Sequence, residues 1–178
     1  MNPSRIALLE KLVEMGGNIQ IFNHSLFGKE PIADLNIKSS VLNPCEVSPS
    51  DVPNLIDELP ILFIASCFAE GTSSFIDIEE LKHKESDRLK AMQDGLDKMK
   101  IKNSLNGNIF CIEGLGKDYK SPYFLAETDY DHRIAMSFAI AGLNSDSSIE
   151  ITSPECINTS FPEFIELGKK LGCNFEIS

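Results

Sequence analysis

Hydrophobic positions recur at helical and at strand spacing in turn, beginning at the N-terminus. Asn2-Pro3 is typical of a helix start, with Asn as the cap and Pro at the first helical position. Gly16-Gly17 ends this predicted helix. Ile19 and Ile21 alternate with polar neighbours, which predicts a short strand. The segments that follow are a predicted strand at 34–38 and a loop rich in Ser and Pro at 39–53.

The central part of the chain predicts two more helices and two more strands. Asp57 can cap a helix that runs to Ala69, and Pro60 is tolerated in its first turn. Another helix is predicted to begin near Glu85, because the residues on one of its faces are all apolar: Leu89, Met92, Leu96 and Met99. The predicted strands lie at 72–77 and 109–113.

The last third of the chain continues the alternation of helices and strands. A polar stretch at 114–121 is expected to be flexible, and 134–143 is apolar nearly all round, as in a buried helix. Ile149 and Ile151 predict a strand, and the remaining predicted elements are a helix at 161–171 and a strand at 173–177. The predicted fold class is therefore α/β (α+β), within a single domain over residues 1–178.

Charge and composition narrow the classes of function. A net charge of −11 argues against binding to nucleic acid or to an anionic membrane surface. The longest apolar run, Ile61 to Ala69, is far shorter than the roughly 20 residues that span a bilayer. Five scattered cysteines are typical of reduced thiols in a cytoplasmic protein, and three scattered histidines give no metal-ligand pattern. We therefore expect a cytoplasmic protein without a metal or cofactor.

Two short segments concentrate cations in this acidic chain, Lys84-Glu85-Ser86-Asp87-Arg88 and Asp131-His132-Arg133. Each lies where a helix is predicted to begin. A helix N-terminus already carries partial positive charge, so a cation there is unfavourable unless an anion lies nearby. The two segments therefore indicate a site for a small, highly anionic substrate.

The helical spacing predicts where the side chains of the first segment point. If the helix starts near Lys84 and turns about 100° per residue, Glu85 falls on the line of the apolar stripe and Arg88 lies about 60° to one side. Glu85 is therefore expected to point inward or into a cleft. A carboxylate in that position is either part of a structural ion pair or a catalytic acid–base group.

The other candidate residues also have structural explanations. Arg133 can pair with a carboxylate of its own segment or with one of two nearby, Asp129 and Glu127, instead of binding a substrate. Asp57 can be explained by helix capping alone. His83 and His132 are expected to face solvent or to be satisfied by hydrogen bonds.

Taken together and in order, the motifs resemble the enolpyruvyl transferase family, in particular its members that act on shikimate 3-phosphate. The similarity extends over nearly the whole chain, and its most specific parts are the two cationic segments. The other matching motifs are Asn2-Pro3-Ser4-Arg5, Glu14-Met15-Gly16-Gly17, Ile56-Asp57-Glu58-Leu59-Pro60, Ala69-Glu70-Gly71, Ile134-Ala135-Met136-Ser137 and Thr159-Ser160-Phe161-Pro162.

The resemblance implies a fold and an activity. The fold is an inside-out α/β barrel of repeated βαβαββ units, in an enzyme of two similar domains with the active site between them. The chain matches the C-terminal domain only; this domain is expected to be incomplete at its N-terminal side, and the N-terminal domain to be absent. The implied reaction transfers the enolpyruvyl group from phosphoenolpyruvate to the 5-hydroxyl of shikimate 3-phosphate and releases phosphate.

The resemblance also implies a role for each candidate residue. Asp57 would orient or deprotonate the attacking hydroxyl, and Lys84 would contact the region of that hydroxyl and the phosphate. Glu85 would handle the proton at the methylene carbon of phosphoenolpyruvate. Arg88 and Arg133 would hold the phosphate and carboxylate of phosphoenolpyruvate, since the guanidinium fork suits both groups.

Three interpretations stay open on the sequence. The chain is expected to be active only with a partner chain that supplies the N-terminal domain, or it is an inactive remnant of the same enzyme. The related enolpyruvyl transferase that acts on UDP-N-acetylglucosamine fits the Lys84–Arg88 segment poorly. Thr159 stands where some members of the family carry Lys, so it cannot contribute a charge there.

Overall fold

The structure is a computed structural model, and it describes residues 1–176. The chain divides into two compact units. The first comprises Met1–Ile78 and Ser104–Asp118, and the second comprises Glu79–Asn103 and Tyr119–Ser178. Within the described residues, no helix has both the length and the apolar composition to cross a bilayer.

Helices and strands alternate along the chain, which confirms the predicted α/β (α+β) class. In order, the elements are α1 (Ala7–Glu14), β1 (Asn18–Phe27), β2 (Glu30–Lys38), β3 (Glu46–Val47), α2 (Val52–Leu55), α3 (Leu59–Cys67), β4 (Glu70–Ile76), α4 (Arg88–Lys98), β5 (Lys102–Asn106), β6 (Ile109–Leu115), β7 (Phe124–Ala126), α5 (His132–Gly142), β8 (Ile149–Ile151) and α6 (Phe164–Lys170). Short 3₁₀ helices occupy Glu79–His83 and Pro154–Thr159. Apart from the single turn of α2, the order from β3 to β6 is that of the expected βαβαββ unit.

A four-stranded sheet in the order β3-β4-β6-β5 organises the first unit. β3 runs parallel to β4, and β4 runs antiparallel to β6. The sheet packs against α3 through three aromatic rings: the centroid of Phe63 lies 4.6 Å from that of Phe75 and 5.1 Å from that of Phe110. All three side chains are fully buried, so the core of this unit lies between α3 and the sheet.

The first helix begins later than its sequence signal predicts. Asn2 accepts hydrogen bonds from the backbone N–H groups of Ser4 and Arg5, at 3.1 Å to its side chain and 2.8 Å to its carbonyl. These bonds close a separate turn, so α1 starts only at Ala7. Its predicted end is confirmed, because Gly16 adopts φ +92°, a conformation that glycine alone adopts readily.

β1 and β2 form an antiparallel hairpin that is longer than the two predicted strands. Its register pairs Ile19 with Ile37 and Ile21 with Leu35, which places these four residues on one face of the hairpin. Ile37 remains 63% exposed and Leu35 40% exposed. The hairpin therefore has an apolar face that the described residues only partly cover.

The other predictions for the first unit are confirmed in type but not always in extent. Strands β4 and β6 occupy the predicted positions 72–77 and 109–113. The predicted helix that follows Asp57 and runs to Ala69 forms as α3, which begins one residue late, at Leu59, and ends at Cys67. β3 lies within the predicted loop at 39–53, and β5 was not predicted, because its sequence Lys-Asn-Ser-Leu-Asn has no β-branched residue.

In the second unit, β7 and β8 pair in parallel and α5 connects them, and α4 packs against α5. The helix predicted at 134–143 and the strand at Ile149 and Ile151 are confirmed as α5 and β8, and the helix at 161–171 forms as the shorter α6. β7 was not predicted. The strand predicted at 173–177 is wrong over 173–176, which form no strand, and Ile177 lies outside the described residues.

Candidate active site

The start of α4 determines where the side chains of the first cationic segment point. The helix begins at Arg88, and the side chain of Asp87 caps it by accepting a hydrogen bond from the N–H of Lys90 at 2.9 Å. The predicted start near Lys84 and Glu85 is therefore wrong. These two residues lie in the bend between a 3₁₀ helix and α4.

This later start reverses the predicted burial of Glu85 and Arg88. The side chain of Glu85 is 57% exposed, so the prediction that it points inward along the helical stripe is wrong. Arg88 is buried instead, with only 1% of its side chain exposed. The buried charged group at this helix terminus is thus a cation.

Two carboxylates compensate the charge of Arg88. Its Nε donates to Oδ2 of Asp131 at 2.7 Å, and its Nη2 donates to Oε2 of Glu85. Asp131 is itself completely buried. A guanidinium bound on two sides by carboxylates is restricted in orientation, because the hydrogen bonds are charge-assisted and directional.

Asp131 also connects Arg88 to the second cationic segment. It caps α5, where its Oδ1 accepts hydrogen bonds from the N–H groups of Arg133 at 2.9 Å and Ile134 at 3.4 Å. The hydroxyl of Ser86 donates to its Oδ2 at 3.1 Å. Residues 84–88 and 131–133, which are more than 40 positions apart in the sequence, therefore meet at one carboxylate.

Lys84 and Arg133 flank this arrangement. Nζ of Lys84 lies 2.8 Å from Oε1 of Glu80, and the side chain of Lys84 is 20% exposed. Arg133 is half-buried in the first turn of α5. The second unit thus brings four of the predicted residue positions into one neighbourhood, namely Lys84, Glu85, Arg88 and Arg133.

Asp57, the fifth predicted residue, belongs to the first unit. It is half-buried in the turn between α2 and α3. The N-cap position of α3 is occupied by Glu58, whose side chain makes no capping hydrogen bond. Asp57 therefore does not occupy the N-cap position predicted for it. Pro60 in the first turn has no N–H of its own, which reduces the need for a cap there.

Sequence reasoning missed Asp131 as a residue of the site. An Asp directly before a buried helix is the signal of an N-cap, and this part was readable from the sequence. Its ion pair with Arg88 was not, because nothing in the sequence shows which distant cation approaches the second oxygen.

A cleft beside α4 is unsuited to the small anionic substrate that the sequence predicts. This cleft of about 380 Å³ is lined by two lysines and by five carboxylates, which disfavour an anion: Asp87, Asp94, Asp97, Glu127 and Asp129. Within residues 1–176, no three His, Cys, Asp or Glu side chains are arranged to hold a metal ion.

Comparison with known proteins gives one consistent family. The family model described as EPSP synthase (3-phosphoshikimate 1-carboxyvinyltransferase) matches residues 1–167. The 3-phosphoshikimate 1-carboxyvinyltransferase of Zymomonas mobilis is 43% identical over 99% of this chain, and that of Aquifex aeolicus is 42% identical over 93%. This chain covers only 40% and 38% of the lengths of those two proteins.

Solved structures agree with the sequence comparisons. The EPSP synthase of Acinetobacter baumannii superposes on the whole chain with a TM-score of 0.94 and 41% identity, and the chain covers 41% of it. The enolpyruvyl transferase NikO of Streptomyces tendae superposes on 94% of the chain with a TM-score of 0.68. NikO is only 16% identical, so this second similarity concerns the fold alone.

Proposed function

The chain belongs to the EPSP synthase family, and we propose that it forms the C-terminal part of an enzyme that transfers the enolpyruvyl group of phosphoenolpyruvate to the 5-hydroxyl of shikimate 3-phosphate. The enolpyruvyl C–O bond to phosphate breaks, a new C–O bond to the hydroxyl forms, and phosphate leaves. The observation that carries the proposal is the buried Arg88 in contact with the exposed Glu85, within the segment that resembles the family most closely.

The contact between Arg88 and Glu85 suggests how an anion is received. Glu85 occupies a position on the guanidinium that a substrate carboxylate or phosphate can also take. An arriving anion would replace Glu85 there, while Asp131 continues to hold Nε. Glu85 would then be released from its ion pair with Arg88.

In the proposed reaction, Glu85 moves the proton at the methylene carbon of phosphoenolpyruvate, and Arg88 and Arg133 bind its charged groups. Lys84 contacts the reacting hydroxyl and the phosphate, and Asp57 orients or deprotonates that hydroxyl. These substrate-binding and catalytic assignments carry over from the resemblance.

We further propose that another polypeptide segment completes the enzyme, either as part of a longer chain or as a separate partner chain. The chain spans about 40% of the length of the relatives that it matches. In the βαβαββ unit α3 covers β6, whereas the apolar face of β1 and β2 remains exposed. This exposed face is consistent with a missing covering element.

The five cysteines form no disulfide, which is consistent with a cytoplasmic location.

The test is phosphate release from the two substrates by this chain assembled with the part of the Acinetobacter baumannii enzyme that it does not cover. We expect activity from the assembly and none from either part alone, because a closed, water-poor site is needed for the chemistry. Glu85→Gln should keep or lower the KM for phosphoenolpyruvate, since it removes the carboxylate that competes for Arg88, while kcat falls at least about 100-fold, the usual size of an acid–base contribution.

Glu79→Gln is the matched control, since it removes an exposed carboxylate of the preceding 3₁₀ helix, which forms a salt bridge of 3.3 Å to half-buried Lys82. It should leave kcat unchanged. Turnover by Glu85→Gln at the wild-type rate would refute the proton-transfer role. No phosphate release by the wild-type assembly would favour the inactive remnant.

A further inference from the structure

The two carboxylate oxygens of Asp131 accept hydrogen bonds from different cationic segments. Oδ2 accepts from Nε of Arg88 at 2.7 Å and from Ser86, while Oδ1 accepts from the backbone N–H of Arg133 at 2.9 Å. None of the side chain is exposed. Burying a carboxylate completely costs free energy unless hydrogen bonds and an opposite charge compensate it, and these contacts provide that compensation.

The neighbouring cap Asp87 shows that capping alone does not require this arrangement. Asp87 lies at the N-terminus of α4 and accepts from the N–H of Lys90 at 2.9 Å. It remains exposed to solvent. Asp131 makes the same kind of cap, but it is buried and bound to an arginine. Unlike Asp87, Asp131 therefore also holds the guanidinium of Arg88.

We propose that Asp131 is a positioning residue of the enolpyruvyl transfer site: it fixes the guanidinium of Arg88 and the first turn of α5, which carries Arg133, in the orientation that binds phosphoenolpyruvate. The inference rests on the proposed function and deepens it. The Nε–H contact restricts rotation of the guanidinium plane, and Oδ1 fixes the backbone from which Arg133 projects. Removing the contact should weaken binding of phosphoenolpyruvate.

Asp131→Asn tests this role with a minimal change. Asn is as good an N-cap as Asp, so its Oδ1 can still accept from the N–H groups of α5. Its amide nitrogen is a donor and cannot accept from Nε of Arg88. Asp87→Asn is the matched control, because it makes the same chemical change at a cap without an arginine partner.

The experiment measures steady-state kinetics of the assembled enzyme for both substrates. For Asp131→Asn we expect the KM for phosphoenolpyruvate to rise on the order of tenfold, the usual effect of losing a charge-assisted hydrogen bond. The KM for shikimate 3-phosphate should stay within about twofold, and Asp87→Asn should resemble the wild type. A merely structural defect lowers the active fraction and hence the apparent kcat, but it does not change a KM.

A second variant and a spectroscopic measurement keep the inference testable if Asp131→Asn does not fold. Arg88→Lys keeps a cation beside Asp131 but has no guanidinium to orient, so it should also raise the KM for phosphoenolpyruvate. Nitrogen-15 NMR of the wild type and of Asp87→Asn should show an Nε–H of Arg88 that is protected from exchange with water, since both groups of the pair are buried.

The outcomes separate the inference from the proposed function. An active wild-type assembly in which Arg88→Lys raises the KM for phosphoenolpyruvate but Asp131→Asn keeps the wild-type value overturns the inference alone. An Nε–H of Arg88 that exchanges freely also overturns it. A wild-type assembly without any activity overturns the proposed function and the role of Asp131 in substrate binding with it.

Discussion

The contact between α4 and α5 depends on the absence of a side chain at Gly95. A Cβ at this position would lie 2.0 Å from Cζ of Phe138, against about 3.5–4.0 Å for an ordinary contact between carbons. The ring of Phe138 is fully buried and packs edge-on against Phe124 at 5.6 Å, so it has little room to move away. Gly95→Ala therefore forces the two helices apart or the ring out of its rotamer.

The magnitude follows from two opposing effects. Overpacking typically costs about 1–3 kcal/mol, and the overlap here favours the upper end of that range. Alanine regains about 1 kcal/mol of helix propensity relative to glycine. We expect the free energy of unfolding to fall by about 2 kcal/mol in Gly95→Ala, measured by urea titration with far-UV circular dichroism because the chain has no Trp.

Gly142→Ala is the matched control in the partner helix. A Cβ at Gly142 would meet nothing closer than Cβ of Ile149 at 3.6 Å, which is an ordinary contact. This variant should be neutral or slightly stabilising, since only the propensity effect remains. Equal stability of Gly95→Ala and Gly142→Ala, at unchanged dependence on urea, would refute the close packing of α4 on α5.

Two further predictions concern titratable groups of the first and second units. Burial raises the pKa of the Cys67 thiol, so Cys67 should resist thiol reagents at pH 8. The half-buried thiols of Cys111 and Cys173 should react first, which mass spectrometry can follow. Labelling of Cys67 in the native protein as fast as that of Cys111 and Cys173 would contradict this. Burial opposes the charge of Lys11, but the hydrogen bond and charge of Glu14 outweigh it and raise the pKa of Lys11 above 10.5. Because the pKa of Lys11 is higher in the folded state, its contribution to stability is present below pH 10.5 and is lost as the pH rises through the folded pKa. Lys11→Met should therefore flatten the decline of the urea midpoint at alkaline pH. An unchanged decline would contradict the pairing of Lys11 with Glu14.

The sequence was most informative where apolar residues form an uninterrupted pattern. α5 and β6 were predicted at their observed positions, because their apolar residues face a core on the expected period. β5 and β7 were missed for opposite reasons. β5 is polar and has no residue of high strand propensity, whereas β7 is only three residues long and therefore too short to show alternation.

The candidate site was predicted in composition but not in geometry. The clustering of the cationic segments at helix termini is confirmed, since α4 and α5 both begin within or beside them, while the roles of these residues stay a prediction. The predicted direction of Glu85 failed because a projection depends on the residue at which the helix starts. Asp87 caps α4 at Arg88, so the preceding residues leave the helical path and the angular relation no longer applies to Glu85.

The buried pair of Arg88 and Asp131 also bears on the two interpretations that the sequence left open. For Glu85 the alternatives were a structural ion pair and a catalytic acid–base group, and for Arg133 an ion pair and substrate binding. A buried ion pair is weak evidence for stability, because apolar side chains of similar volume often replace one without loss. Stability therefore gives little reason for this chain to bury an arginine and an aspartate that expose 1% and 0% of their side chains. What apolar residues cannot reproduce is a guanidinium held in one orientation next to an exposed carboxylate. On the function proposed above, the same contacts that satisfy Arg88 in the folded chain also orient it to receive an anion, so one arrangement fits both the structural and the functional interpretation.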